Sequence, residues 1–169
     1  VTKASQNMLG HVYAKAYGLD IISVRAFNHI GAGQADTFVA ANFCKQAVEI
    51  EKGMKENVLY VGNLSAKRDF TDVRDVVRAY SVLARIGKSG ETYNVGSGKA
   101  IAIQEILDMI LSKSSANITV KQDPDRMRPS DIPVICADIS KITADTGWIP
   151  SIPLDQTISD MLSYWRKTV

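Results

Sequence analysis

The sequence predicts an α/β fold with a mostly parallel sheet, because segments typical of strands alternate with segments typical of helices along the chain. The strand-like segments are short runs rich in β-branched residues, as at 21–24, which is typical of parallel strands covered on both faces. Between them, apolar residues recur three or four positions apart, as on one face of a helix. With 169 residues, of which 46% are hydrophobic, the chain is long enough to bury its own core.

The first half of the chain contains two predicted helices, each followed by a glycine that can end it. In order, the pattern predicts a helix over 2–17, a strand over 21–24, a helix over 38–50 and a strand over 58–61. Gly18 and Gly53 follow the two helices. The glycine-containing stretch 31–34 is predicted to be a loop.

The second half continues the alternation. Asp72 is the predicted N-cap of a helix whose apolar stripe is Val73, Val76, Val77, Tyr80 and Ala84. A strand over 92–95, a helix over 103–111 and a strand over 118–120 follow. Three prolines at 124, 129 and 133 predict an extended loop, and a last helix includes residues 154–165.

Composition and charge exclude several classes of protein. The 20 basic and 18 acidic residues leave a net charge of +2, so we expect no nucleic-acid partner. No apolar run approaches the ~18 residues that a membrane span needs, and residues 1–10 resemble no targeting signal, so we expect a cytoplasmic protein without a membrane partner. Cys44 and Cys136 match no metal spacing; buried free thiols are expected, although a single disulfide stays open.

A dinucleotide-binding fingerprint is absent from the sequence. The pairs Gly31/Gly33 and Gly96/Gly98 each lack a third glycine at the required spacing. The chain is therefore either unrelated to dinucleotide-binding enzymes or the second half of one. The segment Gly96-Ser97-Gly98 could cradle a phosphate, but a turn between strand and helix is the favoured interpretation.

Four segments resemble the extended, nucleotide-sugar-modifying branch of the short-chain dehydrogenase/reductase superfamily. They are residues 25–29 (Arg-Ala-Phe-Asn-His), 68–73 (Arg-Asp-Phe-Thr-Asp-Val), 93–98 (Tyr-Asn-Val-Gly-Ser-Gly) and 128–133 (Arg-Pro-Ser-Asp-Ile-Pro). Residues 1–5 are similar to the end of that superfamily's Tyr-x-x-x-Lys signature, with Lys3 as its lysine. Their order and combination are closest to the enzymes that act on GDP-mannose derivatives.

This resemblance implies that the chain is the C-terminal part of an NAD(P)-binding Rossmann fold together with a small α/β substrate-binding domain. Residues 1–35 and about 72–96 would supply Rossmann-sheet elements. Residues of about 36–71 and 97–169 would form mainly the substrate-binding part. The glycine-rich turn and the signature tyrosine would precede the first residue.

The resemblance implies an enzyme that uses NADP or NAD to reduce the 4-keto group of a GDP-4-keto-6-deoxymannose. GDP-mannose 4,6-dehydratase, or another epimerase or dehydratase of nucleotide sugars, is the alternative. The dehydratases carry an arginine-rich stretch after the segment equivalent to His29, whereas residues 30–36 contain no Arg or Lys, which favours the reductase. A nucleotide-sugar-binding module without catalysis is an alternative of another class, because the sequence has neither the glycine-rich turn nor the tyrosine.

For cofactor binding and catalysis the resemblance assigns Lys3, Phe27 and His29. The ammonium of Lys3 would bind the nicotinamide ribose and, as a positive neighbour, would lower the pKa of the signature tyrosine. Phe27 and His29 would line the nicotinamide side of the site. They follow a buried strand, and the carboxyl ends of strands are where open α/β sheets bind ligands.

For the GDP-sugar substrate the resemblance assigns Asn28, Val61, Arg68 and Arg128. Asn28 would donate its amide to the sugar nucleotide, and the strand ending at Val61 would pass along the base. Arg68 and Arg128 would bind the diphosphate, since a guanidinium can grip phosphate oxygens in bidentate fashion. No metal site is expected. A homodimer through the helix that carries Lys3 is expected by analogy with the family.

Overall fold

The structure, a computed structural model, describes residues 2–126 and 132–169. Its helices are α1 (Thr2–Tyr17), α2 (Val39–Glu51), α3 (Val73–Ile86), α4 (Ile103–Ser112), α5 (Ser140–Thr146) and α6 (Leu154–Thr168). Its strands are β1 (Ser23–Ala26), β2 (Asn28–Ile30), β3 (Val58–Val61), β4 (Lys67–Asp72), β5 (Thr92–Val95), β6 (Ala100–Ala102), β7 (Thr119–Gln122) and β8 (Val134–Ile135). No helix in these two ranges is long and apolar enough to cross a membrane.

The described strands form three small sheets in which all pairs but one are parallel. β1 pairs with β5, and β3 pairs with β7. In the third sheet β4 lies between β2 and β6, and it also pairs with β8. The β4–β6 pair alone is antiparallel among the described strands. The predicted α/β fold with mostly parallel strands is confirmed, although the strands are divided among three sheets.

The long helices predicted from periodicity are present within one or two residues of their predicted bounds. Five of these elements were not predicted, namely β2, β4, β6, β8 and α5. β4 carries four charged side chains, so its sequence is typical of a loop, whereas β2, β6, β8 and α5 are too short to show a period.

The apolar stripe predicted for α3 is partly wrong. Val77 and Tyr80 are exposed, while Ala79 and Leu83 are buried beside the carboxylate of Asp75. Asp75, which was not part of the predicted stripe, is buried because the backbone N–H groups of Ser151 and Ile152 each donate to it at 2.8 Å. The predicted N-cap is confirmed, since the Asp72 carboxylate accepts from the backbone N–H of Arg74 at 2.8 Å.

A larger hydrophobic cluster fills the space between α2, α4, α6 and β3. Its buried members are Ile30, Ala40, Ala41, Phe43, Cys44, Ala47, Val48, Ile50, Leu59, Val61, Phe70, Ile103, Ile106, Leu107, Ile110, Ile158, Met161 and Leu162. The free edge of β3 is closed by Gln46 of α2, whose side-chain amide accepts from Tyr60 N at 3.0 Å and donates to Tyr60 O at 3.1 Å.

A smaller cluster packs α3 and α5 against β5, with Val76, Ala79, Leu83, Tyr93, Val95, Ile142 and Trp148 as its buried members. Helix α5 therefore packs on strand β5, although the sequence assigned its residues mainly to the substrate-binding part. Helix α1 lies outside both clusters and has no buried residue among those described. Its apolar side chains, including Met8 and Val12, are exposed.

Three buried aspartates, spaced three residues apart across β4 and α3, tie later segments to this part of the fold. Asp72 accepts from Arg74 and, at 2.7 Å, from the Thr157 hydroxyl of α6. Burial opposes ionisation of Asp72, but these hydrogen bonds outweigh it and hold its pKa below the ordinary value. The pKa of Asp75 is lowered in the same way, because bonds from Arg78 and from residues 151–152 outweigh its burial. Asp69 belongs to the candidate site.

Candidate active site

A cleft of about 760 Å³ opens where β1 ends and β2 begins. It is lined by residues 26–34, by the start of α2 at residues 38–40, and by Phe70, Val73 and Ile135. Its lining is mostly apolar with a few polar groups, as is usual for sites that bind small molecules or cofactors. The carboxyl end of a parallel strand is also where α/β folds place their ligands.

Phe27, Asn28 and His29 all line this cleft. The backbone N–H of Phe27 donates to Val95 O at 2.9 Å, which fixes the end of β1 against β5. His29 Nδ1 lies 3.1 Å from Phe27 O, and since a carbonyl only accepts, this nitrogen is the donor. The Nε2 atom of a neutral His29 is then a hydrogen-bond acceptor. The structure therefore brings together three of the residues that the sequence assigned to the site.

The loop after β2 shapes one side of the cleft. A Cβ atom at Gly31 would lie 2.7 Å from Val73 Cγ1, and Gly33 has a φ of +83°, so both positions favour glycine. The side chain of Gln34 donates from Nε2 to His29 O at 3.0 Å. Its Oε1 atom is buried, and no hydrogen-bond donor of residues 2–126 and 132–169 reaches it. Nothing in the sequence distinguishes Gln34 from the other residues of this loop.

Arg68 lies in β4 beside the cleft rather than in its lining. Its Nη1 atom donates to Lys67 O at 2.7 Å, and it lies 3.4 Å from Pro133 O. In β8 its register partner is Ile135, which does line the cleft. Arg128 lies among residues 127–131, outside the described residues, so the predicted convergence of the two guanidinium groups stays a prediction.

Lys3 and Val61 are also placed away from the cleft lining. Lys3 is exposed in the first turn of α1, and its predicted catalytic role is untested. Val61 is buried in the larger cluster, and its carbonyl accepts from Asp123 N at 2.8 Å. The predicted contact between Val61 and the base stays a prediction; Gly62 and Asn63, which follow this strand, are half-buried.

The segment Gly96-Ser97-Gly98 is a turn that connects β5 to β6, whereas the sequence favoured a turn between a strand and a helix. The backbone N–H groups of Ser97 and Gly98 donate to the Asp69 carboxylate at 2.7 and 2.9 Å. These are the donors that a phosphate cradle would need, and they are already occupied. Within the described part of the chain, no cluster of His, Cys, Asp or Glu side chains could hold a metal ion.

Comparison with known proteins gives one family and a consistent set of relatives. The family model described as GDP-mannose 4,6 dehydratase matches residues 1–161. The GDP-6-deoxy-D-mannose reductase of Pseudomonas aeruginosa is 34% identical over the whole chain, which covers 56% of that protein. The GDP-mannose 4,6-dehydratase of Yersinia enterocolitica is 23% identical over 89% of the chain, which covers 48% of its length.

Two solved structures also match almost the whole chain. The structure of RMD from Pseudomonas aeruginosa complexed with NADPH matches 98% of the chain with a TM-score of 0.93 and 32% identity, and 55% of that protein is covered. UDP-glucuronic acid 4-epimerase from Bacillus cereus, in complex with UDP-glucuronic acid and NAD, matches 99% of the chain at a TM-score of 0.84 and 26% identity, with 52% of it covered. The chain thus spans about half the length of the proteins it matches.

Proposed function

Because the chain belongs to the GDP-mannose 4,6-dehydratase family, we propose that it is the carboxyl-terminal half of an enzyme that reduces the 4-keto group of a GDP-4-keto-6-deoxymannose. The predicted fold class is confirmed: the chain has the fold of the C-terminal part of an NAD(P)-binding extended short-chain dehydrogenase/reductase. The observation that carries the proposal is the cleft at the end of β1, where Phe27, Asn28 and His29 lie side by side.

The residues of the cleft fit NADP or NAD together with a nucleotide sugar. Its volume falls in the usual range for such sites, roughly 300 to 1,000 Å³. The ring of Phe27 offers an apolar wall, and Nε2 of a neutral His29 offers an acceptor. The amide of Asn28 offers a donor at the same edge. When bound, the reduced cofactor supplies the hydride for the ketone.

Residues outside the lining have proposed roles as well. Lys3 would hold the ribose and favour the ionised form of the signature tyrosine, which would be supplied by the amino-terminal half. Arg68, with its permanent charge, would bind the diphosphate with Arg128. The division into Rossmann elements (1–35 and about 72–96) and a substrate-binding part is also proposed; the separate larger and smaller clusters support it in outline.

A dehydratase acting on GDP-mannose is the second candidate, and the description of the matching family favours it. Against it stands the loop after β2, which carries no Arg or Lys from residue 30 to residue 36. Positive charge in that loop is what the resemblance leads us to expect of a dehydratase.

The test uses a polypeptide of the full length of the relatives, with this sequence as its carboxyl-terminal half. We expect GDP-4-keto-6-deoxymannose to be reduced while NADPH or NADH is oxidised, as followed by the absorbance of the reduced nicotinamide. Consumption of GDP-mannose without added reduced cofactor would instead establish the dehydratase. Binding of the nucleotide sugar with no turnover of either substrate would leave only a binding module.

We further propose that the full-length protein is a homodimer that buries the apolar face of α1. The exposure of Met8, Val12 and Tyr17 on this helix supports the proposal, since contiguous exposed apolar side chains mark interaction surfaces. Sedimentation analysis should give twice the monomer mass, and Val12→Asp should shift it towards the monomer. The cytoplasmic location stays a prediction.

A further inference from the structure

The carboxylate of Asp69 is fully buried at the point where three segments meet. Its Oδ1 atom accepts from the backbone N–H of Ser97 at 2.7 Å and from the Ser97 hydroxyl at 2.6 Å. Its Oδ2 atom accepts from Gly98 N at 2.9 Å and from Ala137 N at 3.0 Å. A single side chain in β4 thus joins the turn after β5 to the segment after β8.

The contacts around this carboxylate leave little freedom for the joined segments. A Cβ atom added at Gly96 would lie 2.5 Å from Ala137 Cβ and 2.9 Å from Asp69 Oδ2. Any larger residue at position 96 would therefore have to displace one of the three segments. The junction is closed by packing as well as by hydrogen bonds.

The junction lies next to groups assigned to substrate binding. Ala137 follows β8, which pairs with β4 in the register Arg68 to Ile135. The backbone N–H of Lys67 donates to Pro133 O at 2.8 Å at the other end of this pairing. Ile135 lines the cleft, and Arg68 directly precedes Asp69. A shift of β8 against β4 would move both.

We propose that Asp69 is a positioning residue for nucleotide-sugar binding, because it locks β8 and the turn at 96–98 onto the strand that carries Arg68. The proposal rests on the function proposed above. A carboxylate suits this role since its two oxygens accept these four donors and, more weakly, the Thr71 hydroxyl at 3.4 Å and the Cys136 thiol at 3.9 Å. An amide has one acceptor oxygen, and its N–H groups would face the donors of Gly98 or Ser97, so Asp69→Asn breaks the junction with little change in volume.

Asp75 provides a matched control. It is equally buried and also accepts four hydrogen bonds, from Ser151 N, Ser151 Oγ, Ile152 N and Arg78 Nη2. The segment that it holds, residues 151–152, does not line the cleft. Asp75→Asn therefore tests the loss of a buried carboxylate away from the cleft.

The experiment compares wild type, Asp69→Asn and Asp75→Asn in the full-length enzyme. We expect Asp69→Asn to raise KM for the GDP-4-keto sugar and Kd for GDP about tenfold or more, since a displacement of about 1 Å can cost far more than that, while KM for the reduced cofactor changes less than about twofold. Asp75→Asn should lower the thermal midpoint similarly and leave KM and Kd for the sugar nucleotide unchanged.

Equal changes in both variants, or an unchanged KM and Kd in Asp69→Asn, would overturn the proposal. If Asp69→Asn does not fold, Ser97→Ala removes one of the four donors and should raise Kd for GDP about threefold; an unchanged Kd would overturn the proposal. Absence of turnover in the wild type with retained GDP binding would refute the proposed reaction alone, because the GDP titrations still test Asp69. A wild type that binds no GDP would refute both.

Discussion

The larger and the smaller hydrophobic clusters differ in how completely the chain encloses them. In the larger cluster α2 buries eight of its 13 residues between α4, α6 and β3. In the region of the smaller cluster, β1 is half-buried or exposed along its whole length, and α1 buries none of its described residues. A parallel strand is usually covered on both faces, and β1 is not. Most of the chain's own stability must therefore come from the larger cluster.

The candidate cleft lies between these two regions, and its walls differ accordingly. Ile30, Ala40 and Phe70 belong to the larger cluster and also line the cleft. The opposite wall is the end of β1 at Ala26 and Phe27, which pairs with Val95 of the smaller cluster. The cleft therefore joins the two clusters, with one wall contributed by each of them.

The largest expected effect comes from truncating matched leucines in the two clusters. Leu107 is fully buried in α4, and Leu83 is equally buried in α3. We expect Leu107→Ala to lower the free energy of unfolding by about 4 kcal/mol, because the surrounding helices cannot collapse into the cavity. Leu83→Ala should cost about 2 kcal/mol, since α3 has an exposed side and can relax. Urea titrations of both variants measure this; a greater loss for Leu83→Ala would reverse the comparison.

The second-largest effect on stability is expected when the ion pair between Arg166 of α6 and Glu51 of α2 is removed. Hydrogen bonds from Arg166 lower the pKa of Glu51 to about 2, against the effect of its burial. Because the pKa is lower in the folded state, this stabilisation is present above the ordinary pKa and is lost as the pH falls towards 2.

Arg166→Met should therefore cost about 1–2 kcal/mol near neutral pH, a value reduced because the arginine is partly exposed. The difference from the wild type should shrink as the pH falls below the ordinary pKa of 4.5 and vanish below the folded-state pKa of about 2. The comparison requires unfolding curves at several pH values, with Lys167→Met as the control for an exposed cation on the same helix. A difference that persists undiminished in acid would show that packing of the Arg166 stem, rather than its charge, is responsible.

The rates at which the two cysteine thiols react should differ, because the thiols lie in different environments. Cys44 is fully buried in the larger cluster, and burial raises its pKa to about 12. Cys136 is exposed. An alkylating reagent should modify Cys136 at least about a hundredfold faster, since Cys44 reacts only when the cluster opens. Mass spectrometry of the native chain over time measures both rates, and similar rates would mean that the larger cluster is not the more stable one.

The smallest effect on the free energy of unfolding is expected from a substitution in α1. Val12 is 54% exposed, so Val12→Ser should change the free energy of unfolding by less than about 0.5 kcal/mol at a concentration where the chain is monomeric. The same measurement at high protein concentration shows whether the cost of Val12→Ser depends on self-association. A loss above about 1 kcal/mol there would indicate that the apolar face is covered by a second copy, as the proposed homodimer requires.

The sequence was most informative where apolar side chains repeat. Helices α2, α4 and α6 bury the residues that their periodicity indicates, and Phe27, Asn28 and His29 share a cleft because they are adjacent at a strand end. Strand β4 was missed since its buried positions include Asp69 and Asp72. Their burial depends on donors from residues 28 to 85 positions away, which no local pattern reveals.

The candidate site likewise depends on long-range contacts that no local sequence pattern reveals. Gln34 and Asp69 acquire their importance from contacts with His29, Ser97 and Ala137. Residue type alone indicates only that a glutamine or an aspartate is polar and most often solvated. The tertiary structure shows that Gln34 lines the cleft, and that Asp69 joins three segments next to it.

The amide of Gln46 on the edge of β3 has a consequence for the behaviour of the protein in concentrated solution. An uncovered strand edge is a template for intermolecular β-addition, which leads to aggregates. Because Gln46 occupies both backbone groups of Tyr60, a foreign strand finds no continuous ladder there. This single side chain thus caps the edge of β3, and its replacement by leucine would leave both backbone groups of Tyr60 open to pairing with a foreign strand.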